Sequence, residues 1–323
     1  NPAHVEALCH LGSMMSEDKK LSEAQELFAR ALKIEPRNEV TMANRARAFE
    51  LSNDLIEAQS AYEAAVALNP LNPKIMTNVG AFFSESMKDQ GRAETYMRQA
   101  MAIDPNHVPA LNGLVTTLSQ KGAGRTTRDE EQSLFERILT IDPHHGKTLA
   151  QYGSFLCEQK SFMPALEYLQ RALQSSKGKT VVDHVKTLLL FGDLLQNMNK
   201  DFEGAEKAYE EAVKLLPNQR GAKRRLAVLS WVRHDTTEKA LKLLKEAIET
   251  DPQDIECYVQ YAMLLLDEGD EEQAEQLLIR ALELDSRNPL VLKAYAEILA
   301  DRGDEEAALR LLHDAGLSNP TDS

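Results

Sequence analysis

Aromatic residues make up only 6% of this 323-residue sequence, and Trp231 is the single tryptophan. Strands favour aromatic and β-branched side chains, so this scarcity weighs against a sheet-built core. A hydrophobic fraction of 43% points instead to closely packed helices with cores of Ala and Leu. No run approaches the roughly eighteen apolar residues that a membrane-spanning helix needs. Asn1 to Glu17 hold no basic stretch followed by an apolar one, so no signal peptide is visible. The three cysteines, Cys9, Cys157 and Cys257, are odd in number and lack pairing or metal-ligand spacing, which reads as reduced thiols in an intracellular protein, in the cytoplasm or an organelle interior. Positive charge is also short: the net charge is −14, and residues 251–323 carry 18 acidic against 5 basic residues. That end repels nucleic acid and anionic membranes, and it reads either as a solvated outer face or as a surface for a basic partner.

What the sequence does contain is a period. Prolines recur at Pro36, Pro70, Pro105, Pro143, Pro217, Pro252 and Pro320, in steps of 34, 35, 38, 74, 35 and 68 residues, of which 74 and 68 are double steps. The skipped positions fall near Ser175 to Lys179 and at Ser286. A common frame returns within the periods. Gly12, Ala24, Phe28, Ala31 and Pro36 stand in the first, and Ala46, Ala58, Tyr62, Ala65 and Pro70 in the second. Ala262, Ala274, Leu278 and Ala281 stand in the eighth, and Ala296, Ala308, Leu312, Ala315 and Pro320 in the ninth. Small residues mark where two helices approach most closely, and larger apolar ones one turn on fill the groove between neighbours. Proline then ends the second helix, because it lacks an amide donor and pushes the residue before it out of the α region.

This frame of small residue, Ala, aromatic or Leu, Ala and Pro over about 34 residues resembles the tetratricopeptide repeat family. The resemblance implies an all-α chain, a right-handed superhelical solenoid of about nine helical hairpins. The units run over 5–38, 39–72, 73–107, 108–145, 146–180, 181–219, 220–254, 255–288 and 289–322 of one array. Stacked hairpins bury together the apolar face that each cannot bury alone. The fourth unit departs, with an insertion over Gly122 to Arg128 and with Glu131 and Ile138 where Ala is expected. The fifth ends without proline, which suggests a flexible joint at 175–180. Pro2 stands where a preceding unit would end, and no polar capping helix follows the last unit. The chain is therefore expected to be a piece of a longer protein, with ends open to self-association.

Motifs for chemistry are lacking. Gly122-Ala-Gly124 follows a helix rather than a strand, and Gly146-Lys-Thr148 and Gly178-Lys-Thr180 have Ile141 and Leu173 where a phosphate loop needs glycine. His144 and His145 have no neighbouring third metal ligand, and the pairs Glu271-Glu272 and Glu305-Glu306 suit helix starts. No catalytic residue, metal or cofactor is assigned, and the chain is read as a non-enzyme.

In this family the first helix of each unit lines a concave groove. Carried over by position, the resemblance places Ala43, Asn44, Arg47, Thr77, Asn78 and Ala81 on the groove of units two and three. On units seven and eight it places Arg224, Arg225, Val228, Trp231, Val259, Gln260, Met263 and Leu266. Asn44 and Asn78 stand at equivalent positions, similar to the asparagine ladder of the O-GlcNAc transferase repeat domain, although His10 and Gly113 interrupt it. They either grip a peptide backbone or are simply solvated. Trp231 with Val228, Met263 and Leu266, beside Arg224 and Arg225, has the composition of an interaction hot spot for a peptide with an apolar anchor and an acidic group. A small error of register would instead return Trp231 to the core. The two-carboxylate clamp for Hsp70 and Hsp90 tails needs Lys and Asn at positions five and nine. Here those pairs read Cys9/Ser13, Ala43/Arg47, Thr77/Ala81 and Asn112/Thr116, which argues against chaperone tails.

The leading expectation is a protein-interaction scaffold that holds partner proteins or peptides in its groove and at its ends. The alternative is the substrate-recruiting arm of an enzyme whose catalytic domain lies elsewhere. RNA binding ranks last, since Arg220, Lys223, Arg224 and Arg225 form the one strongly basic stretch of an acidic chain.

Overall fold

The computed structural model describes residues 4–122, 124–175, 180–219, 221–233 and 237–318. Among them are eighteen α-helices and no strand. The helices follow one another as antiparallel pairs, from α1 (Val5–Glu17) with α2 (Leu21–Ile34) to α17 (Pro289–Asp301) with α18 (Glu305–Ser318). The chain divides into two compact units, Asn1–Thr148 and Leu149–Ser323. The first holds α3 (Glu39–Leu51), α4 (Leu55–Leu68), α5 (Pro73–Glu85), α6 (Gln90–Ile103), α7 (Val108–Lys121) and α8 (Arg125–Ile141) besides α1 and α2. Helix α9 (Gly146–Glu158) begins at the end of the first unit. The second unit continues with α10 (Phe162–Gln174), α11 (Val181–Leu194), α12 (Phe202–Leu215), α13 (Ala222–Val232) and α14 (Thr237–Thr250). It then adds α15 (Ile255–Asp267) and α16 (Glu271–Leu284) before α17 and α18.

The period in the sequence is a period in the backbone. Glu35, Asn69, Asp104, Asp142 and Leu216, each followed by proline, stand at helix ends with φ between −125° and −140° and ψ between 84° and 99°. That extended conformation is the one a following proline imposes. Asp285 adopts φ −148° and ψ 99° with Ser286 behind it, so the turn is made there without proline. The next helix is often started by an Asn or Asp just beyond. Asn38 accepts from the Thr41 amide at 2.9 Å, Asn72 from Lys74 at 3.1 Å, Asp254 from Cys257 at 3.3 Å and Asn288 from Leu290 at 3.1 Å. Each side chain satisfies an amide that the first helical turn would otherwise leave unpaired.

Packing follows the same count. Phe28, Tyr62, Met97, Phe135, Leu169, Tyr209, Leu244 and Leu278 take one recurring place on the second helices, and all are buried. Small residues on the first helices make room for them. A Cβ added to Gly12 would lie 2.7 Å from the Phe28 ring, and one added to Gly192 would lie 2.5 Å from Tyr209, so nothing larger than hydrogen fits without displacement. Ala58 and Ala274 are fully buried, as a close helix contact requires. Ion pairs then staple successive hairpins at the surface. Glu206 takes Arg233 and Lys239, Glu275 takes Arg302 at 2.7 Å, and Glu94 takes Lys121.

The departures of the fourth period are absorbed in two ways. The inserted stretch lengthens α8 to 17 residues, so Arg125 to Arg128 are helical and only the turn around Gly122 and Gly124 is added loop; Ala123 lies outside the described residues. Glu131, at a place that is Ala elsewhere, is 4% exposed and accepts from the Ser119 hydroxyl at 2.6 Å, while Ile138 is fully buried. A buried carboxylate needs such a donor. At the fifth boundary Thr180 and Asp183 form a capping box that starts α11. Residues 176–179 of the expected joint lie outside the described residues, as do Pro2, Arg220 and Pro320.

Candidate functional site

The first helices of four successive hairpins in the second unit, α11, α13, α15 and α17, line two adjoining recesses. One, of about 580 Å³, runs from Lys186, Leu189 and Asp193 on α11 past Arg224 and Arg225 on α13 to Asp254, Glu256 and Asn288. The other, of about 420 Å³, lies between α15 and α17, with Val259, Met263, Leu290 and Ala294 as its apolar floor. Arg224, Glu256, Gln260, Lys293 and Glu297 stand around it. Arg224 and Glu256 belong to both. Val259 and Ala294 are buried in the hairpin core, which makes the floor rigid, whereas Leu290, Lys293 and Glu297 are exposed.

The two arginines are engaged within the chain. Arg225 Nε donates to both carboxylate oxygens of Asp193, at 2.9 and 3.1 Å, and the Tyr209 hydroxyl donates to the same carboxylate at 2.7 Å. Burial first, and then the Asp193 charge, pushes the Tyr209 hydroxyl far above its ordinary range, so it stays a donor. Arg224 pairs through Nη2 with Glu256, and its Nε lies 3.8 Å from Asp254, the residue that also caps α15. The Arg224 side chain is 18% exposed, and its Nε is buried without a hydrogen-bond partner among the described residues. On the same helix Lys223 pairs with Glu246 at 3.3 Å. The positive charge that marks this helix in sequence is thus largely spent on its neighbours.

The other positions drawn from the sequence separate. Val228, Gln260, Met263 and Leu266 are partly buried, and Val259 is buried. Trp231 is partly buried against the cluster of Ala227, Ala240, Leu244 and Leu264, and its indole nitrogen donates to Asp267 Oδ2 at 3.0 Å. In the first unit Asn78 and Arg47 are exposed and Asn44 is half-buried. Neither asparagine side chain bonds to a described residue, while Arg47 pairs at 2.8 Å with Glu50, whose side chain is 5% exposed and also accepts from Tyr62 and Ser86. Ala43 and Thr77 are buried, and Thr77 bonds back to the Pro73 carbonyl at 2.8 Å, so these two belong to the packing between helices.

Tetratricopeptide repeat models match residues 189–255, 232–285 and 265–323. A solved structure described as functional characterization of Pseudomonas aeruginosa pilF superposes with a TM-score of 0.58 at 18% identity, over 70% of this chain and 97% of that one. The APC/C hetero-tetramer Cut9-Hcn1 superposes at 0.62 and 14% identity, over 86% and 52%. Residues 189–323 thus match tetratricopeptide repeats, and the chain has the fold of a helical-repeat solenoid. Among curated proteins, the human protein O-mannosyl-transferase TMTC3 is 22% identical over 289 residues, which is 80% of this chain and 31% of that protein. The repeats thus span less than a third of the length of that relative.

Lys186 and Asp193 on α11, and Lys293 and Glu297 on α17, are among the recess residues that went unnamed in the sequence. The positional count that singled out Arg224 and Met263 would have found them had it been carried one hairpin further each way. Glu271, Glu272, Glu305 and Glu306 occupy the first turns of α16 and α18, where their charge favours the helix dipole. Among the described residues no group of three His, Cys, Asp or Glu side chains could hold a metal ion, and no helix is long and apolar enough to cross a membrane.

Proposed function

We propose that this repeat protein is a non-catalytic, intracellular scaffold that holds partner proteins or peptide segments in the groove of its second unit, across Arg224, Arg225, Val228, Val259, Gln260, Met263 and Leu266. The observation that carries the reading is the pair of adjoining recesses lined by α11, α13, α15 and α17. A rigid apolar floor ringed by polar groups suits a side-chain anchor held by flanking hydrogen bonds. The three cysteines are free thiols, in keeping with an intracellular setting. Asn44, Arg47 and Asn78 form a second candidate surface on the first unit. Asn44 and Asn78 keep their amide groups available for a peptide backbone.

A photo-crosslinking residue placed at Met263 or at Leu290, and as a control at the exposed Glu210 on α12, tests this in cells. Discrete adducts from the first two positions and none from the third are expected. Equal labelling at all three would remove the groove from consideration.

The second reading, a substrate-recruiting arm of a larger enzyme, is favoured by the extended match to a protein O-mannosyl-transferase. Adducts made at Met263 that consist of substrates modified by the same polypeptide would favour it over a plain scaffold.

A further inference from the structure

The groove of the second unit, if it is the binding site proposed above, has a definite charge preference, and it is opposite to the one its arginines suggest. Arg225 is held by Asp193, Arg224 by Glu256 and Asp254, and Lys223 by Glu246. An incoming carboxylate would have to displace these partners and leave them unpaired beside it, which costs more than it returns.

The acidic side chains that stay exposed at the recess lie on the next two first helices. Helix α15 has Glu256 and Asp267 and no basic residue, while α17 has Glu297 and Asp301 against Lys293 alone. Glu297 stands on the rim of the smaller recess, exposed and without an ion pair to a described residue. Asp267 is exposed and, among the described residues, takes only the indole N–H of Trp231, and Asp301 holds the equivalent place one repeat on, also exposed. Glu256 keeps 51% of its side chain exposed even with Arg224 bound. Lys293 offsets one of these negative charges. These residues included, the stretch 251–323 carries 18 acidic against 5 basic residues, so its net charge has the same sign. Beneath the rim, Val259, Met263, Leu290 and Ala294 provide an apolar floor.

We infer that the recess between α15 and α17 takes an extended protein segment that seats one large aliphatic or methionine side chain on this floor and carries arginine or lysine beside it, directed to Glu297 and the Asp267–Asp301 edge. Arginine fits best, since its planar fork can engage a carboxylate through two hydrogen bonds.

The test uses the whole chain and two labelled peptides that share a central Leu-Met pair, one flanked by arginines and one by glutamates, followed by fluorescence anisotropy. The arginine peptide should bind roughly tenfold or more tightly at about 50 mM salt, with the margin shrinking as salt rises. Glu297→Lys combined with Asp301→Lys should reverse the preference, while circular dichroism and the thermal midpoint confirm that the helices persist. Met263→Glu should abolish binding of either peptide. Binding that depends on Met263 but is equal or tighter for the glutamate peptide would overturn the inferred chemistry and leave the groove as the site. Absence of any Met263-dependent binding would overturn both.

Discussion

The indole N–H of Trp231 on α13 donates to Asp267 Oδ2 on α15 at 3.0 Å, so one bond ties the seventh hairpin to the eighth at the edge of the groove. The ring packs on Ala227 and Leu264 below while its polar tip reaches an exposed carboxylate. Asp267→Ala should lower unfolding stability by about 1 kcal/mol, the usual net worth of such a bond. Because Trp231 is the only tryptophan, its emission reports this site alone and should shift to the red with increased acrylamide quenching. Unchanged emission and an unchanged urea midpoint would mean that the bond is not formed in solution.

Ser286 stands where other repeats carry proline. Asp285 before it is already extended, at φ −148° and ψ 99°, close to Asp104 before Pro105 at φ −129° and ψ 99°. Among the described residues the Ser286 amide makes no hydrogen bond, and the turn's amides donate instead from Asp285, Arg287 and Asn288. Ser286→Pro should therefore stabilise the second unit by about 0.4–1 kcal/mol, by removing freedom from the unfolded chain. Thermal unfolding checks this, and a lowered midpoint would show that the turn needs a conformation proline cannot adopt.

Stability should fall on the alkaline side. Burial pushes the Cys157 thiol up to about 11 from an ordinary value of 9.0 and moves Cys257 further in the same direction; Tyr62 and Tyr209 are raised as well, again chiefly by burial. A group whose folded pKa is raised holds its proton longer in the folded state, so its contribution is complete below the unfolded value and is lost as pH climbs past it. The denaturation midpoint should be flat up to about pH 9 and then decline through about pH 11. In the same window Cys157 and Cys257 should react slowly with iodoacetamide in the folded protein and fast once it is unfolded. Rapid alkylation of both in the folded state at pH 8 would contradict the burial described here.

The hairpins were legible because each signal for them is short in sequence. A proline, the capping Asn or Asp behind it and an apolar residue every turn all act within one helix, and a period repeated across the chain lifts them above chance. Ala24, Phe28 and Ala31 announce a buried face without reference to any distant residue, and that face is buried. Ala43 and Thr77, placed on the groove by position in the repeat, are instead buried. One step around a helix separates a groove position from a packing position, and only the neighbouring helices determine on which side of that line a residue falls.

Charge was legible only as composition. Arg224 and Arg225 read as free cations because their counter-ions, Asp254, Glu256 and Asp193, are 30 or more residues distant in the chain and become neighbours only when hairpins stack. Glu131 likewise read as a break in the pattern until Ser119 was found opposite it. The sequence by itself determined the helical pairs, their small-residue contacts and the acidic balance, since these follow from local propensity and from counting. The tertiary structure alone decided which charges are spent inside the protein and which remain at the rim, because ion pairing depends on side chains meeting between hairpins at a few ångströms, and no spacing along the chain encodes that distance.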